Sequence, residues 1–324
     1  MQRFNNILVI ADIADSQNVV FARAAHLAVR NRGILTVASV VESLHDAVAR
    51  VAARHSAVLC DLTLEGLMVH EERNRLESLV APLRDAGVRV QVRILTGTRS
   101  LEIIREVLQN HHDLVMMMAD GDSGLTCALF GSTPIDLMRK CPCPVWIIKP
   151  VHTKLYARTL AAVDRRPSDP HRHALNIKIL ELAASLTRAE QGELYVLHVW
   201  NASRMSSIGN RFSHSDRERM LSDIQHEHMA WLDELLEECS LDTVRHQIQL
   251  LEGVSSELIP AMAKKNRVDV IVMGTVCRSG VAGFFLGNTA EKVLRRVDCS
   301  VMTVKPDSFV TSMKLDECAP PQAA

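Results

Sequence analysis

The sequence lacks both an excess of charge and a long apolar run. Its 37 lysine and arginine residues are balanced by 38 aspartate and glutamate residues, which gives a formal net charge of −1. Without a positive excess nothing favours contacts to a phosphate backbone, so we expect no nucleic-acid partner. The longest apolar runs, such as Leu114 to Ala119, have the length of a strand and are too short to cross a bilayer. The first residues lack the apolar stretch of a secretory signal, so we expect a cytoplasmic protein without a membrane partner.

The motifs of common catalytic sites are missing as well. The chain has no GxxxxGK phosphate loop, no GxGxxG, no GxSxG nucleophile elbow and no HxGH. Its eight cysteines are scattered without CxxC spacing. Cys141-Pro-Cys143 is too tight for an ordinary structural disulfide and lacks the further ligands of a zinc site. We therefore expect free thiols, no metal site and no catalytic residue.

The length and composition are those of two globular cores. The chain has 324 residues, of which 47% are hydrophobic and 23% charged. One core rarely grows to this size, so the chain is expected to divide into two domains. We place them at residues 1–150 and 157–306, and we expect residues 307–324 to form a disordered tail.

An internal repeat is the main feature of the sequence. The segment 113–119 aligns with 269–275, an offset of 269 − 113 = 156, and no gap is needed over more than fifty residues. The first strands, 7–12 and 159–164, also correspond, at an offset changed by loop length, and each ends in aspartate. At the offset of 156 the matched pairs include Gly97 with Gly253, Gly131 with Gly287, Cys143 with Cys299, and Lys149 with Lys305.

Each half alternates short apolar strands with helical patterns, which predicts a doubly wound parallel α/β sheet with the order 3-2-1-4-5. Ser100 and Ser256, just after matched glycines, are expected to cap the next helices. The last strands, 145–148 and 301–304, are expected to pair in antiparallel fashion and make an internal pseudo-dimer, while a homodimer of whole chains stays open. The predicted strands lie near 6–11, 34–41, 89–95, 113–118 and 144–149, and near 158–163, 193–199, 244–251, 268–273 and 300–305.

In such sheets a ligand binds beyond the carboxyl ends of the strands, where the strand order reverses. Here that point lies between strands 1 and 4. Glycines after strand 4 would let backbone N–H groups approach an anion, and the following helix would point its positive end there. The residues at this point are Asp12 and Asp164 after strand 1, and Gly121, Gly131, Gly274 and Gly287 after strand 4.

The glycine spacing resembles that of the universal stress protein family, whose ATP-binding members carry G-x2-G-x9-G-(S/T) after strand 4. In the second half the pattern is Gly274, Cys277 in place of the second glycine, and Gly287, followed by Asn288 and Thr289. In the first half Met118 replaces the first glycine, and Gly121, Gly131, Ser132 and Thr133 follow. The segments 138–146 and 283–293 are similar to the tandem E type of this family, and the likeness extends to Pro306.

The resemblance implies a site for ATP with Mg²⁺, in which Asp12 or Asp164 contacts adenosine and Val40 or Val199 lines the base. Asp120 and Asp122 would repel phosphates in the first half, so the second half is the preferred nucleotide site. Other roles remain open: the aspartates as helix caps, the glycines as turn residues, and the valines as core residues.

Three hypotheses follow. The first is a non-enzymatic stress-response protein that binds ATP in its second domain. The second is a scaffold or a carrier of an apolar small ligand, without nucleotide binding, which the incomplete glycine motifs favour. The third, an enzyme that hydrolyses ATP or transfers a nucleotidyl group, lacks the motifs that it needs.

Overall fold

The computed structural model describes residues 4–11, 18–42, 61–119, 131–149, 157–165, 170–201, 213–239, 241–275, 286–311 and 313. In the first half the elements are β1 Asn6–Ile10, α1 Asn18–Asn31, β2 Ile34–Val41, α2 Asp61–Asp85, β3 Val90–Thr96, α3 Arg99–Asn110, β4 Leu114–Met118, α4 Ser132–Lys140 and β5 Val145–Ile148. In the second half they are β6 Arg158–Val163, α5 Pro170–Ala189, β7 Glu193–Trp200, α6 His214–Glu237, β8 His246–Glu252, α7 Ser255–Lys265, β9 Val270–Gly274, α8 Asn288–Leu294 and β10 Ser300–Val304.

All ten strands lie within two residues of their predicted bounds and form one sheet, in the order β3-β2-β1-β4-β5-β10-β9-β6-β7-β8. Within each half every neighbouring pair is parallel. Read from strand 3, each half therefore has the predicted order 3-2-1-4-5. The predicted fold class is confirmed.

The sheet lies between two layers of helices, because alternate strand residues face opposite sides. Ile7 and Val9 belong to one buried cluster, with residues of α1, α2, α5 and α6. Leu8 and Ile10 belong to the other, with residues of α3, α4, α7 and α8. Both clusters contain residues of both halves of the chain, so the two halves share both cores.

The two halves meet where β5 pairs with β10 in antiparallel fashion, as predicted for the pseudo-dimer. Trp146 lies opposite Met302 and Ile147 opposite Val301, and all four side chains are buried. We call this pairing the seam. Since β5 and β10 lie inside the ten-stranded sheet, neither is an edge that a second chain could extend.

Two buried lysines cross the seam in a pseudo-twofold arrangement. Lys149 Nζ donates a hydrogen bond to Val297 O at 2.6 Å, and Lys305 Nζ donates to Cys141 O at 2.7 Å. The two bonds are related by the repeat, because both lysines and both acceptors are separated by 156 residues. The duplication therefore extends to individual buried hydrogen bonds.

The expectation that Ser100 and Ser256 cap helices is wrong. The N-cap positions of α3 and α7 are Thr98 and Val254, and both serines lie buried inside the first turn. The Oγ of Ser100 contacts the Asp136 carboxylate at 3.5 Å instead of a backbone N–H. The helices thus begin two residues earlier than the serine spacing suggested.

Candidate functional site

A cleft of about 170 Å³ opens in the second half, at the carboxyl ends of β6, β7 and β9. This is the predicted reversal point, because β6 and β9 are neighbours that continue in opposite directions through the sheet. On the scale of buried water sites the volume holds on the order of ten water molecules. Six of the predicted site residues line this one cleft: Asp164, Val199, Gly274, Gly287, Asn288 and Thr289.

Asp164 follows β6 and is fixed through its own backbone. Asn176 on α5 accepts a hydrogen bond from Asp164 N at 3.1 Å and donates one to Asp164 O at 2.8 Å. Asn176 lines the cleft and is only 1% exposed, so the side chain that makes these two hydrogen bonds is buried. Since α5 begins at Pro170, Asp164 lies too far along the chain to be its N-cap. The helix-cap alternative for Asp164 is therefore not supported.

Gly274, the last residue of β9, brings the strand close to α5. A Cβ at this position would lie 3.0 Å from Cδ2 of Leu175 and 3.6 Å from Cδ1 of Ile179. The first contact is tighter than ordinary van der Waals packing. A side chain here would therefore press on the α5 wall of the cleft. In the first half the matched position is occupied by Met118, whose side chain packs against the core cluster of α1 and α5.

The two matched glycines before the last helices differ in backbone conformation. Gly131 has φ 76°, in the range that favours glycine, whereas Gly287 has φ −59° and ψ 137°, which any residue can adopt. Turn geometry therefore accounts for the glycine at 131 and not for the one at 287. At Gly287 the missing side chain leaves open the cleft that this residue lines.

We expect Gly131→Ala and Gly287→Ala to differ in their cost to stability. The first should lower the free energy of unfolding by about 1–2 kcal/mol, because alanine is strained at positive φ. The second should change it by less than about 0.5 kcal/mol. Urea denaturation followed by circular dichroism measures both. Equal losses would contradict the assignment of different roles.

Comparison with known proteins agrees with the repeat and the fold. The model of the universal stress protein family matches residues 3–149 and again 156–305. The chain belongs to the universal stress protein family. Universal stress protein E of Salmonella typhi is 31% identical over 236 residues, covering 72% of this chain and 74% of the relative. Universal stress protein E of Photorhabdus laumondii is 25% identical over 323 residues, which cover 97% of this chain and 99% of the relative.

A solved structure shares the whole tandem fold. A Pseudomonas aeruginosa protein of unknown function superposes with a TM-score of 0.71 at 23% identity, over 94% of this chain and 93% of that one. This similarity supports the fold alone. The family model and the relatives of the universal stress protein E type identify the chain as a tandem universal stress protein of that type, from a family of stress-response proteins.

The first-half candidates are placed less completely than those of the second half. Three of the predicted site residues lie outside the described residues: Asp12 and Gly121 of the first half, and Cys277 of the second half. Val40 is partly buried and packs against the core cluster of α3 and α4, which fits the core alternative. Gly131, Ser132 and Thr133 lie at the start of α4. A ligand role for these first-half residues stays a prediction.

Two features bear on membranes and metals. Among the described residues, none of the helices of this universal stress protein combines the length and apolarity needed to span a bilayer. Within the same ranges no three side chains of the His, Cys, Asp and Glu types come together as metal ligands.

A pair of histidines, of which His198 is buried and His228 half-buried, lies behind the cleft and was not predicted from the sequence. His198, between the cleft residues Leu197 and Val199, points to the opposite face of β7, where Nδ1 donates to Val163 O at 3.1 Å. Its Nε2 must therefore accept from Nδ1 of His228 on α6, at 2.8 Å. Trp200 stacks on His228 and Trp231 meets His198 edge-on. Thirty residues separate the histidines, so only the packing of α6 on β7 brings them together.

Burial lowers the pKa of His198, and burial together with the neighbouring His198 lowers the pKa of His228 to about 4. The unfolded chain has a pKa near 6.5 at this site, so between pH 6.5 and about 4 it binds more protons than the folded protein. Stability is therefore complete above pH 6.5 and decreases as the pH falls through this window. Because His228 is only half-buried, we expect a loss of about 1–2 kcal/mol, after allowance for solvent screening.

The measurement is urea unfolding of wild type and His228→Gln between pH 7 and pH 4.5. We expect a smaller pH dependence in the variant. His226→Gln is the matched control, because His226 lies on the exposed side of the same helix and bonds only to Ser222 within α6. If the free energy of unfolding of His228→Gln depended on pH as steeply as that of wild type, protonation of the histidine pair would not be coupled to folding.

Proposed function

We propose that this universal stress protein is a non-enzymatic, cytoplasmic stress-response protein that binds an adenine nucleotide, as Mg-ATP, in the cleft of its second half. The observation that carries the proposal is the convergence of six predicted residues on that cleft. They come from three strand ends and the start of one helix. Such a constellation at a strand reversal point suits a nucleotide.

The residues of the cleft fit the parts of a nucleotide. Apolar side chains of Leu197, Val199 and Ile259 would contact the base, and the Asp164 carboxylate would accept hydrogen bonds from adenosine. Gly274 and Gly287 line the cleft without side chains, and the ribose and phosphates would lie beside them and beside Asn288 and Thr289. Arg172, also at the cleft wall, supplies positive charge for the phosphates. Phosphate oxygens and water would hold most of the coordination sphere of Mg²⁺.

The absence of catalytic motifs supports a binding role over hydrolysis. Phosphoryl transfer needs a residue that orients the attacking water and groups that stabilise the charge of the transition state. Among the residues that the structure describes, Asp164 is the carboxylate that lines the cleft, and its proposed place is beside adenosine rather than the γ-phosphate. We therefore expect bound ATP to remain intact over hours, which release of inorganic phosphate would contradict.

The experiment is calorimetric titration of Mg-ATP into wild type, Asp164→Ala and Asp12→Ala. We expect saturable heat with wild type, at least about tenfold weaker binding for Asp164→Ala through loss of a carboxylate hydrogen bond, and no change for Asp12→Ala. Asp12 is the matched control because it occupies the corresponding position in the sequence repeat. Loss of binding in Asp12→Ala alone would place the site in the first half.

The alternative carrier function has one specific observation in its favour. Leu175, Ile179 and Met273 add to the apolar side chains of the cleft, so an apolar small ligand could occupy part of it. Absence of heat with Mg-ATP, together with an organic molecule found by mass spectrometry of freshly purified protein, would favour this alternative.

A further inference from the structure

Cys141 and Cys143 form a pair of thiols at the turn between α4 and β5. Their sulfur atoms are 3.5 Å apart, within hydrogen-bond distance for thiols. Cys141 is wholly buried, whereas Cys143 keeps part of its surface exposed. A disulfide bond needs the sulfurs at about 2.05 Å. A closure of this size is within the reach of side-chain rotation and a small adjustment of the turn.

A lysine from the other half of the chain lies beside this pair. Lys305 is 3% exposed, and its Nζ donates to Cys141 O at 2.7 Å across the seam. Burial lowers the pKa of Lys305 to about 8, while the two sulfurs act in the opposite direction. At neutral pH an ammonium group is therefore held next to the thiols, the environment that favours a thiolate.

The two thiols differ in acidity. Burial alone would raise the pKa of Cys141, but the hydrogen bond from Cys143 and the charge of Lys305 outweigh it and lower that pKa. The pKa of Cys143 is raised, first by its hydrogen bond to Cys141 and then by burial. When the pair loses one proton, the negative charge therefore lies on Cys141 and Cys143 keeps the remaining proton, a typical property of reactive dithiols.

The repeat supplies a matched site with a single thiol. In the second half the corresponding turn is Val297-Asp298-Cys299, and Lys149 Nζ bonds Val297 O as Lys305 bonds Cys141 O. Here burial raises the pKa of Cys299 to about 12, and Lys149 only partly offsets it. The two turns share the lysine hydrogen bond to the backbone, and they differ in the second sulfur, because Val297 corresponds to Cys141.

We propose that Cys141 and Cys143 are a redox site, which a hydroperoxide oxidises to a disulfide within the turn. The thiolate of the accessible Cys143, after its proton passes to Cys141, attacks the peroxide; the O–O bond breaks and leaves a sulfenic acid and hydroxide. The sulfur of Cys141 then displaces the hydroxyl group from Cys143, and the S–S bond forms as water leaves. In sum, two thiols and one hydrogen peroxide give one disulfide and two waters.

The test is oxidation of the folded full-length protein with hydrogen peroxide, followed by alkylation under denaturing conditions, trypsin digestion and mass spectrometry. Cleavage gives peptide 141–154 with both thiols of the pair, and peptide 297–314 with Cys299 alone. We expect peptide 141–154 to lose two hydrogen atoms and both alkylation sites, at least about tenfold faster than Cys299 loses its alkylation site. Dithiothreitol should restore both sites.

Two variants test whether the lysine beside the thiols promotes their oxidation or whether the oxidation is incidental. Lys305→Met should slow disulfide formation at least about threefold by removing the ammonium charge, whereas Lys149→Met, its pseudo-symmetric control, should not. Circular dichroism of both variants checks that they remain folded; if Lys305→Met unfolds, the wild-type comparison with Cys299 decides alone. Equal rates for the two peptides, or sulfinic acid in place of the disulfide, would overturn the proposal.

Discussion

Replacing Ile147 by aspartate is expected to remove most of the stability of the protein. Ile147 has no exposed surface and lies opposite Val301 at the seam, so the carboxylate would be buried without a partner. Unpaired buried charge is among the most destabilising changes known, and we expect a loss of at least about 4 kcal/mol in the free energy of unfolding. Urea denaturation followed by circular dichroism measures it. Because both core clusters run through both halves, both should lose structure together.

The control for this experiment is Gln91→Asp, which places the same residue in the exposed outer strand β3 of the same sheet. There the carboxylate stays in water, so the cost should remain within about 1 kcal/mol, the span of strand propensities. If Ile147→Asp costs no more than Gln91→Asp, the seam is not a packed interior and the pseudo-dimer is wrongly described.

Gly287→Val is expected to abolish nucleotide binding without unfolding the protein. The backbone of Gly287 has φ −59°, which valine adopts readily, so the fold should tolerate the change. The branched side chain would enter a cleft of only about 170 Å³ at the place proposed for the phosphates. We expect Mg-ATP affinity to fall at least about 100-fold in calorimetry, equivalent to about 2.7 kcal/mol.

Gly66→Val is the matched control for this second variant. Gly66 lies on the exposed part of α2, and a Cβ there would meet no atom within 4 Å. The same substitution should therefore leave the affinity unchanged. Unaltered binding in Gly287→Val, with the protein folded, would mean that the nucleotide lies elsewhere.

Most of the fold could be predicted because both halves of the repeat carry the same pattern of strands and helices. Apolar strands of matching length, each followed by a helical pattern, leave few topologies once crossovers are right-handed. The seam was predictable for a related reason: Val145–Ile148 and Val301–Val304 are too apolar for exposed edges. Local pattern was a poorer guide at Ser100 and Ser256, where tertiary packing buries the serines inside the helix.

The site was predictable where residues follow strand ends and unpredictable where contacts depend on helix docking. Asp164 and Gly274 are marked by their positions after β6 and within β9. Asn176 lies inside an ordinary helical pattern, and only the distance of α5 from β6 shows that it fixes Asp164. The thiol pair was set aside because its spacing is too tight for an ordinary disulfide and further zinc ligands are missing. In the structure the turn directs both side chains to the same side and brings the sulfurs to 3.5 Å.

Comparison of the two halves explains why only one cleft is assigned to a ligand. Gly274 corresponds to Met118, and Gly287 corresponds to Gly131, which needs glycine for its backbone alone. At the strand reversal point the second half has glycine at position 274, whereas the first half has a methionine side chain at the matched position 118.

Amide hydrogen exchange with and without Mg-ATP tests the central claim most directly, because it reports on every strand end at once. We predict slower exchange in the presence of nucleotide for residues 162–165, 197–200, 273–275 and 286–290, and no change in the corresponding first-half strand ends at 9–11, 38–42 and 117–119. Protection of the first-half strand ends instead, or identical exchange in both conditions, would contradict a nucleotide site in the second half.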